Sequence, residues 1–238
     1  MIKFAAYILL LCVLISCKKK ESPDPIPTPV NTTTNYTYGS LATVYYQIYT
    51  GNILTGSDSV VSAFFYTNTA NPGATIVNAG TISFNGTPLI NNTDYYSLYS
   101  SNIHHTNSVW VVSGSSNVPV INYTFTPNYP VFTGNAQLPD SFSLSNGFTI
   151  HVNGLSNFSN STIHIEIADA ANSVFKTMTV NQTSYTFSAA ELSILQPTVS
   201  GCTILLTLSN ATIENFGGKD YSFISTLESY KSSIKIKP

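Results

Sequence analysis

The candidate catalytic residues for hydrolysis in this sequence are its histidines and its hydroxyl-bearing residues. Acyl transfer needs a nucleophile, a histidine and an acid brought together, and a strained Gly-x-Ser-x-Gly turn often carries the nucleophile. The 238-residue sequence lacks that motif. Its four histidines are His104, His105, His151 and His164. Without a turn to mount a nucleophile, the sequence predicts that the protein is not an enzyme, and a hydrolase is the remote alternative.

Carboxylates offer a second kind of chemistry, but they are scarce in the first half of the chain. Glycosidases hold two carboxylates on either side of the scissile bond. Residues 36–130 contain only Asp58 and Asp94, both in turn-like contexts. Solvated acids of this kind occur in any folded domain, so they do not indicate a glycosidase.

Metal binding is likewise not favoured by the sequence. Neighbouring residues on a strand point to opposite faces, so His104 and His105 cannot easily share one ion unless they lie in a loop. No Cys or acid lies within eight residues of the pair to complete a ligand shell. Scattered acids such as Asp58 and Asp140 do not form the oxygen cluster that Ca²⁺ requires. We therefore predict no metal and no cofactor.

Tyrosines beside Asn and Thr side chains are the strongest candidates for ligand binding. Aromatic rings stack on sugar faces, but they also fill half-buried sheet positions, because Tyr buries its ring while its hydroxyl stays wet. Consecutive rings such as those at 95 and 96 must lie on opposite faces of a strand, so the sequence leaves open which rings face outward. The residues of the candidate ligand face are Tyr95, Tyr96, Tyr99 and Trp110.

The charge composition limits the class of partner. The chain has nine Lys, no Arg and eleven acids, for a formal net charge of −2. Nothing basic enough to follow a phosphate backbone is present, so a nucleic-acid partner is excluded. Because residues 36–130 contain no Lys at all, we expect a neutral partner for them, either a neutral glycan or another envelope protein.

The N-terminus carries an export signal. Lys3 precedes an apolar run from Phe4 to Ile15, which is too short to span a bilayer core that needs about 20 residues. The run ends in Leu-Ile-Ser followed by Cys17. This arrangement resembles the lipobox of bacterial lipoproteins. The resemblance implies that the signal peptide, residues 1–16, is removed and that Cys17 is acylated, for example with palmitate, and anchors the chain in a membrane.

A tether follows the lipidated cysteine. Residues 17–35 contain Lys18, Lys19 and Lys20 and then alternating prolines, a composition typical of an extended, unpacked backbone. The residue after Cys17 is Lys rather than the Asp that retains enterobacterial lipoproteins at the inner membrane. We therefore expect a lipid-anchored protein of the cell envelope at the outer membrane, and the side of that membrane stays open.

The rest of the chain reads as β-strands. Asn85-Gly86 is the strongest hairpin signal, and Ile163, Ile165 and Ile167 alternate cleanly with polar residues. Ser188 and Glu191 form a capping-box pattern that predicts one helical turn. Strand spacing resembles that of immunoglobulin and fibronectin type III sandwiches. We predict an all-β protein with two such domains in tandem, at 36–130 and 131–238.

Two remaining residues have simple interpretations. Cys202 begins an apolar run, where cysteine is more often an inert buried side chain than a nucleophile. Asp58-Ser59-Val60 matches a short O-glycosylation pattern of Bacteroidota, so Ser59 is a candidate glycosylation site, although an Asx-type turn explains Asp-Ser equally well.

As a whole, the chain is similar to uncharacterised two-domain β-sandwich lipoproteins of the Bacteroidota, in which a lipobox and a Pro/Thr tether precede the sandwiches. This resemblance implies no activity. We therefore expect a non-catalytic envelope protein with a structural or weak-recognition role. The alternative is a carbohydrate-binding accessory lipoprotein that uses the aromatics of the N-terminal domain.

Overall fold

The computed structural model describes residues 37–68, 75–99, 108–126, 129–134, 138–156, 163–178 and 182–238. This part of the chain is mostly β with one short helix, α1 (Ala189–Leu192), so the prediction of a β-rich protein is confirmed. The strands are β1 (Gly39–Thr50), β2 (Ile53–Phe65), β3 (Ile82–Phe84), β4 (Thr87–Pro88), β5 (Ile90–Asn91), β6 (Tyr96–Tyr99), β7 (Ser108–Val112), β8 (Ile121–Phe125), β9 (Val131–Phe132), β10 (Ser141–Ser143), β11 (Phe148–His151), β12 (Leu155–Ser156), β13 (Ile163–Ala168), β14 (Ser173–Met178), β15 (Ser184–Phe187), β16 (Thr198–Phe216) and β17 (Lys219–Lys237).

One large sheet joins strands from both halves of the chain. Its order is β14-β13-β16-β17-β1-β2-β6-β5, and β10 also pairs with β17. The central pair is parallel: β1 runs beside β17 from Gly39 opposite Tyr221 to Thr50 opposite Ser232. The predicted boundary at 130/131 therefore lies between strands of a single sheet. Tyr36–Pro238 forms one compact unit, and independent folding of the two parts stays a prediction.

Two separate hydrophobic clusters lie on the inner face of this sheet. The first cluster contains the alternating isoleucines of β13 and inward residues of β16, and it is closed by Ile150, Phe187 and Leu192. The second cluster contains Trp110 and the inward residues of β1, β2 and the four-stranded sheet β4-β3-β7-β8. Tyr221 and Phe223 of β17 also belong to the second cluster. The β16–β17 hairpin thus contributes to both.

Glycines at two hairpins explain why these strands turn where they do. Asn85 and Gly86 have φ of 48° and 78° and join β3 to β4. Gly217 and Gly218 have φ of 58° and 78° between β16 and β17. Two consecutive residues with positive φ are typical of the tight hairpin turn whose twist matches that of paired strands. The hairpin predicted at Asn85-Gly86 is confirmed.

The predicted capping box is confirmed at α1. The Ser188 hydroxyl accepts a hydrogen bond from the Glu191 backbone N–H, and the Glu191 carboxylate accepts one from the Ser188 N–H. Leu192 is buried in the first cluster. Glu191 also forms an ion pair with Lys176 of β14, and the Lys176 ammonium lies 5.2 Å from the centre of the Tyr185 ring. These contacts hold the helical turn against the sheet.

Several predicted features lie outside the described residues. They are the signal peptide, Cys17, the tether and the histidine pair at 104 and 105. Among the described residues, no helix has both the length and the apolar character needed to cross a membrane.

Candidate functional site

The large sheet has an outer face, opposite the two hydrophobic clusters, that carries the candidate site. Side chains alternate along a strand, so in β17 the inward Leu227 is followed by the outward Glu228 and, two residues later, by Tyr230. On the neighbouring strand β1, Tyr45 packs against the first cluster and Tyr46 lies on the outer face, opposite Glu228. The expectation that consecutive tyrosines lie on opposite faces is confirmed here.

Five aromatic rings lie in a row across this face, and we name them the aromatic track. The Tyr230 and Tyr46 rings stack with their centres 6.4 Å apart. Tyr46 and Tyr99 lie on either side of β2, opposite Asp58 and Val60 respectively, and the Tyr99 and Tyr95 side chains share a hydrogen bond. The Tyr95 ring stacks on Phe64 at 5.6 Å. The track runs from β17 to β6 and so crosses three strand spacings, or about 14 Å.

Solvent reaches the aromatic track unevenly. Tyr99 is 52% exposed, whereas the rings of Phe64, Tyr95, Tyr46 and Tyr230 are half-buried. Half-buried rings keep a fixed orientation and still present an edge or a face to solvent. Such a surface can stack on a flat apolar group at little cost in side-chain entropy.

Three carboxylates flank the track. Asp58 of β2 is paired with Tyr46, and Glu228 of β17 lies opposite Tyr46 on the other side. The Tyr230 hydroxyl donates a hydrogen bond of 2.5 Å to Glu228 Oε2. Glu166 of β13 lies near enough to act electrostatically on both Glu228 and Tyr230.

Burial shifts the titration of these groups. It raises the pKa of the Glu228 carboxyl, the charge of Glu166 raises it further, and the hydrogen bond from Tyr230 opposes this rise. Burial also raises the pKa of the Tyr46 and Tyr230 phenols, and the charge of Glu228 adds to the effect. Tyr46 and Tyr230 are therefore neutral hydrogen-bonding groups at any physiological pH.

No protein-family model matches the chain, and no curated protein is significantly similar to it. The properties of the outer face must therefore be judged from its own residues.

The structure corrects two members of the predicted ligand face. Trp110 is 1% exposed and packs edge-to-face against Phe84 in the second cluster. Tyr96 is 4% exposed, and its hydroxyl accepts a hydrogen bond from the Ala79 N–H and donates one to Asn78. Both side chains point to the inner face of their sheets and cannot contact a ligand on the outer face. Tyr95 and Tyr99 remain, and both lie in the aromatic track.

Ser59 is also buried. It is 1% exposed and lies on the inner face of β2, opposite Tyr45. Its backbone N–H donates a 2.7 Å hydrogen bond to the Asp58 carboxylate, but both residues lie within β2, so the Asx-type turn is not formed. The folded protein does not present the Ser59 hydroxyl to a modifying enzyme, so O-glycosylation there would have to precede folding.

Other polar residues of the described part do not assemble into a second site. No group of three or more His, Cys, Asp or Glu side chains within the described ranges could hold a metal ion. The Thr177 hydroxyl lies 3.0 Å from Nδ1 of His164, a cross-strand contact of the kind that stabilises antiparallel pairs. Cys202 is buried in the first cluster, and burial raises its pKa to about 12, so its thiol is unreactive as predicted.

Sequence reasoning missed Tyr46, Glu166, Glu228 and Tyr230 as members of one site. Tyr46 was visible only as one ring of a Tyr-Tyr pair, and the other three lie more than 100 residues further along the chain. The pairing of β1 with β17 brings Tyr46 beside Glu228 and Tyr230, and β16 joins β13, which carries Glu166, to the other side of β17. A signal was present in the alternation of Glu228 and Tyr230 with inward residues, but nothing local indicated which strand would lie beside them.

Proposed function

We propose that this protein is a non-catalytic, lipid-anchored recognition protein of the cell envelope whose outer sheet face binds a carbohydrate chain. The aromatic track is the single observation that carries the proposal. Its five rings extend over about 14 Å, which is longer than one sugar ring and suits an extended chain better than a monosaccharide. Flanking carboxylates and tyrosine hydroxyls supply hydrogen-bond partners for sugar hydroxyls.

The position of the track on a rigid sheet supports a binding role. Outer-face residues of β1 and β17 are fixed by twelve paired positions between these two strands. A site built on strands keeps its geometry better than a site on loops. The rings are thus preorganised, which lowers the entropy cost of binding.

Anchoring at the membrane is the second part of the proposal and depends on the lipobox resemblance at Cys17. We expect Cys17→Ala to prevent acylation, because only that thiol can carry the lipid. The variant should leave the detergent phase after phase partition and should not incorporate labelled palmitate. Continued labelling of the variant would show that the lipobox interpretation is wrong.

The domain arrangement is the third part. We propose that each half of the molecule is a sandwich of the immunoglobulin or fibronectin type III kind, at 36–130 and 131–238. The presence of two distinct hydrophobic clusters supports this interpretation, whereas the shared large sheet ties the two halves together.

The binding proposal is tested by removing one ring of the track. A screen of immobilised glycans and envelope polymers against the full-length chain in a neutral detergent first identifies the ligands that bind. In Tyr99→Ala, loss of a stacking ring should weaken binding about two- to twelvefold, since such a contact is worth about 0.5–1.5 kcal/mol. Ile194→Ala is the control, because Ile194 is an exposed apolar side chain between Leu192 and Leu195, which pack in the first cluster on the inner side of the sheet. Equal binding by the two variants would contradict the proposal.

A hydrolase and a purely structural protein are separated by the same screen. Release of soluble sugar from a bound glycan would favour the hydrolase. Absence of binding to every glycan and polymer would favour a structural role and would overturn the recognition proposal.

A further inference from the structure

The aromatic track is bordered by acidic side chains that come from both halves of the chain. Asp58 and Glu228 lie on either side of Tyr46, and Glu166 lies opposite Leu205, which in turn lies opposite Tyr230. The neutral partner expected from the sequence was inferred from residues 36–130 alone. The large sheet adds Glu166 and Glu228 from the C-terminal half, so the track carries concentrated negative charge.

No lysine neutralises these acids within the described part of the chain. Lys176 is paired with Glu191, and Lys231 with Asp140. Lys219 donates a hydrogen bond to the Asn117 carbonyl near the β16–β17 turn.

The remaining described lysines lie far from the acids. Lys235 alternates with the buried Ile234 and Ile236, so it faces outward, and Lys237 follows it. Lys235 is five residues beyond Tyr230, which corresponds to about 16 Å along an extended strand. That separation exceeds the Debye length of about 8 Å at physiological ionic strength. His164, on the same face, is bonded to Thr177.

The rings beside Glu228 suit a cation as well as a sugar face. Tyr46 and Tyr230 stack on each other, and the negative face of such a ring attracts an ammonium group within about 6 Å of its centre. A half-buried carboxylate between two rings gains more from a cation than an exposed one does, because water screens the interaction less. The rings of Tyr46 and Tyr230 and the carboxylate of Glu228 thus all favour an ammonium group.

Accepting that the outer face binds a carbohydrate chain, on which this inference rests, we infer that the chain bears ammonium groups. The ligand is an amino-sugar polymer. Its rings lie on Tyr99 and Tyr95, and its ammonium groups lie against Glu228, Glu166 and Asp58. Charge complementarity at the centre of the track selects this ligand over a neutral glycan.

Two probes with the same backbone test the inference. The full-length chain in neutral detergent is titrated with β-1,4-linked glucosamine oligomers and with the N-acetylated form of the same oligomers. We expect tight binding of the glucosamine oligomer and at least tenfold weaker binding of the N-acetylated one. Raising salt from 50 to 500 mM shortens the Debye length from about 14 to about 4 Å and should weaken binding of the cationic oligomer.

Charge-removing variants assign the effect to the track. Glu166→Gln combined with Glu228→Gln should weaken binding of the glucosamine oligomer about tenfold or more, since each charge-assisted hydrogen bond is worth about 1.5–3 kcal/mol. Asp220→Asn is the matched control, because Asp220 lies at the hairpin turn and accepts a hydrogen bond from Asn215. A thermal melt of each variant checks that the fold is kept, and Glu228→Gln alone serves if the double variant is destabilised.

The outcomes separate this inference from the proposed function. One outcome is that both oligomers bind equally, that Tyr99→Ala abolishes this binding and that the glutamine variants do not change it. This outcome would overturn the ammonium inference but would keep the outer face as a binding site for neutral glycans. The ammonium inference would also be overturned if the control Asp220→Asn weakened binding of the cationic oligomer as much as the double variant does. General charge attraction would then explain the result. Absence of binding to these oligomers and to every glycan in the screen would overturn the proposed function itself.

Discussion

Lys231 is a buried charge that joins residues from the two halves of the molecule. Its side chain is 1% exposed, and its ammonium contacts three oxygen atoms. These are the Leu138 carbonyl at 2.5 Å, Asp140 Oδ1 at 2.8 Å and Asn52 Oδ1 at 3.1 Å. Asn52 lies in the turn between β1 and β2, so the amine joins that turn to the segment before β10. We predict that Lys231→Met destabilises the fold.

The three contacts differ in what their loss costs. Asp140 is 72% exposed, so it regains water when Lys231 is replaced, and an exposed ion pair is worth at most about 1 kcal/mol. Leu138 is buried, and a buried carbonyl left without a donor costs about 1–3 kcal/mol. The Met side chain fills most of the volume of the Lys and needs no desolvation. We therefore expect a loss of about 1–3 kcal/mol for Lys231→Met.

Two companion variants make the reasoning refutable. Lys231→Ala also leaves a cavity, which adds about 2–5 kcal/mol for a side chain of this length. Asp140→Asn keeps an acceptor for the ammonium and should cost less than about 1 kcal/mol. Urea unfolding followed by circular dichroism measures all three. If Asp140→Asn costs as much as Lys231→Met, the ion pair rather than the buried carbonyl dominates, and the reasoning is refuted.

Three further predictions concern the track, the domain boundary and the helix cap. Burial raises the pKa of Glu228, so the folded protein favours the protonated carboxyl, and this contribution to stability is lost as pH rises above the ordinary pKa of 4.5. Glu228→Gln should therefore raise the melting temperature at neutral pH and raise it less near pH 4.5. A gain in melting temperature that grows on acidification would contradict the direction of this pKa shift. In an isolated fragment 131–238, Tyr221 and Phe223 lose the rest of the second cluster. We therefore expect amide hydrogen exchange to be fast around these two residues and slow in the first cluster. Uniform protection from exchange would show that the second cluster is dispensable. Ser188→Ala should cost about 1 kcal/mol in a thermal melt, since it removes the N-cap of α1, and Ser193→Ala, at the other end of the same turn, should cost less.

Local signals in the sequence predicted much of the secondary structure. Asn85-Gly86 turns because only residues tolerant of positive φ fit a two-residue hairpin, and Ser188 caps α1 because its hydroxyl reaches the Glu191 N–H. Alternation placed Ile163, Ile165 and Ile167 inside without knowledge of their partners. Each of these features depends on residues within about five positions of one another.

Long-range pairing could not be predicted in the same way. A shift of two residues between β1 and β17 keeps every side chain on its own face, so alternation alone does not set the register of Tyr46 against Glu228. The choice of face for Trp110 and Tyr96 was open for a related reason, since both faces of a strand accept aromatic residues. The candidate site therefore became visible only when the strands were placed side by side.

The parallel pairing of β1 with β17 also determines how the molecule carries load. β1 is the first strand of the sheet and β17 is the last, so a pull on the two ends of Tyr36–Pro238 draws these neighbours lengthwise in opposite directions. Their twelve paired positions then resist together, in shear, instead of opening one after another as in a hairpin pulled from its open end.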